Sequence, residues 1–255
     1  MKFIVSAATD IGRVKAVNQD CYRVKVFSTC LGEMVFAVLC DGMGGLSNGE
    51  VASSTLVDAF CNWASSRLPE LCETGIEDGD IRSDWTALIS QCGELLLNYG
   101  RQGGFSLGTT VTAMLLTGER YYIANVGDTR AYEISGGVRL LTRDQTLLER
   151  EVEQGILTRA EAERDPRRNI LLQCVGASET VYPDLFFGKT LPGAVYLMCS
   201  DGFRHEITED EIFCHLNPDR MADSQEMREN LEQLIELNKQ RLETDNITAV
   251  AVRTF

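Results

Sequence analysis

The sequence predicts an α+β fold, a layered sandwich of strands and helices. Three observations predict it. Eight short β-type runs recur along the chain between turn signals, and four longer stretches carry helical patterning. The helical stretches fall as two pairs flanking groups of strands, which is the order of an α+β sandwich. No tandem repeat, low-complexity tract or Pro/Ser-rich linker divides the chain, so a single domain over residues 1–255 is expected.

The elements follow in order. Residues 3–7 form the first strand, because "MKFIVSAATDIGR" turns polar too soon for a signal peptide. Residues 35–40 are a continuous apolar run, read as a buried strand, and a helix is expected over 49–67. Residues 70–84, "ELCETGIEDGDIRSD", read as an acidic loop. Tested as a calcium loop from Asp78, the segment fails: Arg82 falls at position 5, Ser83 where Gly is needed and Ile89 where Glu is needed. A helix over 83–99 precedes strands over 110–116 and 120–126, joined at Gly118-Glu119. Strands over 130–134 and 138–141 join at Gly136-Gly137, which gives an antiparallel meander. A helix over 147–154 leads into a charged excursion, residues 157–169. Strands over 195–199 and 247–252 flank a helix over 224–242, whose Met227, Leu231, Leu234, Ile235 and Leu242 share one face.

Composition removes several function classes. The chain has 38 Asp plus Glu against 24 Lys plus Arg, a net charge of −14, which argues against nucleic acid as a partner and leaves cations open. No apolar span of 18 residues exists, so no membrane crossing is expected. Nine cysteines, odd in number and with no C-x-x-C pair, read as small hydrophobes in a reducing cytosol, so a cytoplasmic location is expected. Only two histidines occur, His205 and His215, too few for imidazole-rich zinc chemistry.

Carboxylates then stand out. Residues 36–40 run into Asp41-Gly42, 122–126 into Gly127-Asp128, and 195–199 into Ser200-Asp201-Gly202, while Asp245-Asn246 opens 247–252. A single Asp-Gly is ordinary turn chemistry. Four acids at the ends of central strands point instead to strand ends converging on one cleft. Clustered carboxylates repel one another unless cations join them, and ligation by oxygen alone selects Mg²⁺, Mn²⁺ or Ca²⁺.

Seven segments carry these residues in a recognisable order: "DIGRVKAVNQD" (10–20), "CDGMGG" (40–45), "GTTVTA" (108–113), "ANVGDTRAY" (124–132), "LTRDQT" (141–146), "CSDGF" (199–203) and "DNITAVAV" (245–252). Together they resemble the metal-dependent protein serine/threonine phosphatases of type 2C, in their bacterial form. The resemblance implies a four-layer α-β-β-α sandwich with two central antiparallel sheets and a flap over about 145–176. It implies two Mn²⁺ or Mg²⁺ ions, with a weaker third. Asp41 would bridge the two metals, the Gly42 carbonyl would bind one, and Asp201 and Asp245 would hold the other. Gln19, Asp20 and Asn246 would orient waters beside them, and Asp128 with Asp201 would hold the third ion. Asp41 and Asp20 would thus serve catalysis, in which a metal-bridging hydroxide attacks the phosphorus of phosphoserine or phosphothreonine. Phosphorylated proteins would be the substrates, a cognate Ser/Thr kinase the counterpart, and the chain a monomer.

The sequence departs from the family pattern in places. Lys15 stands where the phosphate-anchoring Arg is usual, keeping the charge but losing the bidentate fork, so Arg13, Arg167 or Arg168 are candidate helpers. Gln19 stands for Glu, Gln145 for His, and Met43 where eukaryotic relatives have His, so no general acid is evident. His205 reads as structural. Gly44 and Gly45 are expected to keep the loop thin beside the phosphate. Two other readings stay open: a non-catalytic regulatory module on the same fold, or a hydrolase of small phosphate esters or phosphotyrosine.

Overall fold

The computed structural model describes residues 1–43, 48–162 and 164–255. Two five-stranded antiparallel sheets lie at its centre. One has the order β1 (Phe3–Asp10), β10 (Ile247–Thr254), β9 (Val195–Cys199), β6 (Arg130–Ile134), β7 (Val138–Leu140). The other runs β2 (Asp20–Thr29), β3 (Gly32–Asp41), β4 (Val111–Leu116), β5 (Arg120–Val126), β8 (Asp184–Lys189). Val35, Ala37, Leu39, Met114, Ile123, Tyr196, Met198, Val250 and Val252 fill the space between the sheets. Alternate residues of the same strands point outward, as the two-residue period of a strand requires. Phe36, Val38 and Cys40 therefore meet α1 (Gly49–Thr74) and α2 (Asp78–Gly103), while Leu197 and Cys199 meet α5 (Asp201–Arg204), α6 (Glu209–Leu216) and α7 (Ser224–Gln240). These layers are the expected α-β-β-α sandwich.

Under the first helix pair, Phe36, Phe60, Trp63 and Trp85 interlock, with Trp63 and Trp85 edge to face at 5.4 Å. Each such ring contributes roughly 1.5–3 kcal/mol by burial, so this cluster anchors α1 and α2 to the sheet.

Three local expectations are corrected. The acidic loop over 70–84 is mostly helix: α1 continues through Pro69 to Thr74, and α2 starts at Asp78. Leu71, Cys72 and Ile81 are buried, so packing of the apolar stripe overrides the local acidity. Strands β2 and β8 were not expected; both are edge strands, and a half-exposed edge lacks the solid apolar run of a central strand. Helix α6 was also unexpected, although Thr208 and Glu211 form a capping box at its start. The two Gly-marked turns do join β4 to β5 and β6 to β7.

Candidate metal centre and phosphate site

The strand registers bring the acids to one end of the sandwich. Asp20, the first residue of β2, pairs across the ladder with Asp41, the last of β3. In the facing sheet Cys199 pairs with both Arg130 and Ala249. That register sets Asp128 just before β6, Asp201 just after β9, and Asp245 just before β10, all at the same edge.

Asp41 is held by its backbone. Its N–H donates to the Thr110 hydroxyl at 3.0 Å, and its carbonyl accepts from the Thr110 N–H and the Thr109 hydroxyl, each at 2.9 Å. Gly42 follows in a cradle that admits no side chain. A Cβ there would lie 2.4 Å from the Gly49 carbonyl oxygen and 2.6 Å from that of Gln19. Gly202 is confined in the same way, since a Cβ would lie 2.2 Å from the Asn246 carbonyl oxygen. The glycines beside the acids therefore let three chain segments approach to backbone distance.

Asn246 ties the amino-terminal loop to this edge. Its side-chain oxygen accepts from the Gln19 N–H at 2.9 Å, and its amide donates to the carbonyls of Ile11 and Val17. Gln19 in turn accepts at its carbonyl from the Gly42 N–H and the Ser53 hydroxyl, and its side chain donates to Glu50 at 3.1 Å. Glu50, at the start of α1, thus meets the candidate site through Gln19, a contact the sequence did not suggest. Its only signal there was an acid following Gly49 in a helix-initiating turn.

The electrostatics of the cluster are unfavourable as they stand. Burial, together with repulsion from Asp201 and Asp245, pushes Asp20 up to about 7, partly offset by the hydroxyls of Thr248 and Ser200. Asp41 is raised well above the carboxylate range by burial and by Asp20, Asp201, Asp128 and Asp245. Burial and Asp201 push Asp128 to about 7, against the attraction of Arg204. Both oxygens of Asp20 and one of Asp201 are buried with no hydrogen-bond partner of ordinary geometry. Orphaned carboxylate oxygens of this kind are costly unless a cation meets them. The donor set is oxygen throughout, which suits Mg²⁺ or Mn²⁺.

One observation qualifies the fit. Among the described residues no three His, Cys, Asp or Glu side chains stand close enough, as placed, to enclose one ion. Asp245 is engaged instead by Lys15, Nζ to Oδ1 at 2.8 Å. The acids are thus near enough to raise one another's pKa but do not form a closed cage, so main-chain oxygen and water must complete any hard-ion coordination. Burial disfavours the Lys15 charge, yet Asp245, Asp41 and Asp201 outweigh it and raise its pKa. The Lys15 ammonium thus lies against one acid of the cluster and within the attraction of two more.

The other candidate cations are placed elsewhere. Arg13 donates to the Lys239 carbonyl at 2.9 Å, at the end of α7. Arg167 is clamped by Asp165 and Glu151, and Arg168 approaches only Glu206, at 3.9 Å. All three are engaged by groups outside the acid cluster. Met43 is fixed by its N–H to the Gly108 carbonyl; Gly44 and Gly45 lie outside the described residues.

The segment over about 145–176, the expected flap, begins with α3 (Leu147–Glu153) and α4 (Arg159–Ala162). Gln145 fastens it: its side-chain oxygen accepts from the Gly127 N–H, its amide donates to Asp184, and its carbonyl accepts from Leu172. Next to it Asp144 receives both arms of Arg130, at 2.8 and 2.7 Å. Burial opposes the Asp144 charge, but Arg204 and Arg130 prevail and lower its pKa. His205, read from sequence as structural, lies between Asp201 and Glu243.

Residues 11–244 match the family model described as Protein phosphatase 2C. A putative protein phosphatase 2C-type protein of Streptococcus pyogenes is 32% identical over 97% of this chain and 96% of its own. The serine/threonine protein phosphatase PstP of Mycobacterium tuberculosis is 30% identical over 96% of this chain, which spans 44% of that longer protein. Among solved structures, the serine/threonine phosphatase of S. agalactiae superposes with a TM-score of 0.85, at 29% identity and full coverage of both chains. The catalytic domain of PstP in complex with two manganese ions superposes at 0.76, with 26% identity and 99% coverage of each chain.

Proposed function

Since the chain belongs to the protein phosphatase 2C family, we propose that it is a metal-dependent phosphoprotein phosphatase whose centre is built on Asp41, the Gly42 carbonyl, Asp201 and Asp245. The observation that carries the assignment is the pair Asp20 and Asp201 at the shared edge of the two sheets, with both carboxylate oxygens of the first and one of the second buried without a partner. Two Mn²⁺ or Mg²⁺ ions held there would supply Lewis acidity, lowering the pKa of a water and offsetting charge on the phosphoryl oxygens. The chain's own residues do the rest. Thr109 and Thr110 fix the Asp41 main chain, so its carboxylate is preorganised. Asn246 and Gln19 hold the amino-terminal loop, and with it Asp20, against the cleft. Lys15 binds the phosphate of the substrate as a single point charge, leaving Asp245 to do so. No side chain is assigned as the general acid, because Met43 and Gln145 stand where an imidazole would; protonation of the leaving serine or threonine oxygen falls to water.

The substrates are phosphoserine and phosphothreonine proteins, opposing a cognate kinase, and the chain acts as one catalytic domain and a monomer. Its nine unpaired cysteines favour a reducing cytosol, and among the described residues no helix is long and apolar enough to cross a membrane.

The test is a panel of phosphothreonine, phosphoserine and phosphotyrosine peptides, with a small aryl phosphate, compared by kcat/KM with Mn²⁺ and with EDTA. Threonine and serine peptides should dominate and EDTA should abolish all turnover. A preference for the aryl phosphate or for phosphotyrosine would replace this reading by that of a small-ester or tyrosine phosphatase.

Lys15→Ala should raise KM more than it lowers kcat. A charge-assisted hydrogen bond is worth about 2 kcal/mol, or roughly 30-fold in KM. A large kcat loss at unchanged KM would place Lys15 in the transition state instead.

A further inference from the structure

The position expected from the resemblance to hold a weaker third ion, Asp128 with Asp201, already has partners inside the chain. The Arg204 Nη2 donates to the Asp128 carbonyl at 3.1 Å and lies 3.5 Å from its carboxylate. The same nitrogen is 3.4 Å from Asp144, and Asp144 is held from the other side by Arg130. On Asp201 the neighbour is the His205 ring, with Nε2 at 3.6 Å and its other nitrogen 3.3 Å from Glu243. Arg204 closes the short helix that Asp201 opens and His205 caps it, so the turn that presents the acid also delivers both partners.

We propose that the Arg204 guanidinium serves as the counter-cation of Asp128 in place of a third divalent ion, so that this chain runs on a two-ion centre. The inference rests on the phosphatase reading above. Arg130 and Arg204 both meet Asp144, and Arg204 also reaches Asp128, so two fixed positive charges already stand where a third ion would sit. The Arg204 side chain is only 13% exposed and the Asp128 side chain 7%, so neither charge is relieved by water. An added divalent ion would meet a guanidinium that is always charged and anchored through Asp144, and like charges at short range in a buried site repel strongly. Asp128 is thereby a positioning residue of the flap-side edge rather than a metal ligand.

The experiment counts ions on the full chain. Protein stripped with EDTA is equilibrated with millimolar MnCl₂, and bound manganese is measured by equilibrium dialysis, with a thermal melt run on each variant. Wild type and Asp128→Asn should both hold two ions. Arg204→Met should hold three, and the extra ion should disappear in Arg204→Met combined with Asp128→Asn. Three ions on wild type falling to two in Asp128→Asn would overturn the proposal, as would an unchanged count of two in a folded Arg204→Met. If Arg204→Met does not fold, the comparison of wild type with Asp128→Asn decides alone. No bound manganese in any protein would overturn the metal centre itself, an outcome distinct from a third ion on wild type.

Discussion

Asp41→Asn is expected to reduce kcat/KM by roughly 10³-fold. The substitution is nearly isosteric, and the Thr109 and Thr110 contacts that hold the residue go to its backbone, so they persist. What is lost is a carboxylate proposed to hold the metal centre, together with the electrostatic stabilisation that bound ions would supply. Metal-ion stabilisation of transferring phosphoryl oxygens is worth several kcal/mol, and about 4 kcal/mol is three decades in rate. The effect should also separate from folding. Asp41 is a buried carboxylate repelled by four others, so removing its charge should leave the metal-free protein at least as stable, as judged by thermal melting. Wild-type turnover in this variant would end the assignment of Asp41. A loss of activity with a lowered metal-free Tm would trace the defect to folding instead.

Metal removal is the second large effect, and it carries a pH signature. Mn²⁺ at a hundredfold excess over its Kd adds about 2.7 kcal/mol, which for a chain of this size is roughly 5–10 °C in Tm. The metal-free protein should lose stability as pH rises. Asp20 and Asp128 titrate near 7 in the folded state and in the ordinary carboxylate range when unfolded. A carboxylate with a raised folded pKa is harmless below its unfolded pKa. It costs progressively more as pH climbs through the folded value, because the unfolded chain releases its proton first. Metal-free Tm should therefore fall between about pH 4 and pH 7, with Asp41 acting in the same direction. Saturating Mn²⁺ should flatten that slope. A metal-free Tm that rises over this window, measured by calorimetry in EDTA, would mean that the acids are not uncompensated.

Much of this architecture was legible because it is written as repeated local patterns. The apolar runs of β3, β4, β5, β9 and β10 gave the central strands, and the acids at their ends pointed to a candidate site, Asp41, Asp128, Asp201 and Asp245 lying at one edge. What stayed hidden depends on tertiary partners. Edge strands β2 and β8 take their order from pairing on one side only. The helix through Leu71 and Ile81 follows from burial against the aromatic cluster, which no local acidity rule anticipates. The partners of the arginines were hidden for a related reason. A sequence shows that Arg13, Arg167 and Arg168 are charged, but not that Lys239, Asp165 and Glu151 lie closer to hand than a phosphate. Arg204 gave no sign because its partners Asp128 and Asp144 are distant in the chain.

The pairing of Asp20 with Asp41 has a consequence far from the cleft. These two acids are the open ends of one hairpin, whose closed end is the two-residue loop Cys30-Leu31, with Gly32 at φ 103° beginning the return strand. Ten residues of strand lie on each side, so the loop stands roughly 30 Å away. Yet that loop sets the offset between the strands, and an offset of one residue would turn one acid to the opposite face of the sheet. The turn therefore acts as a ruler. The spacing of the two carboxylates is measured out at the far end of the molecule, and an inserted residue there would misalign the metal centre without touching it.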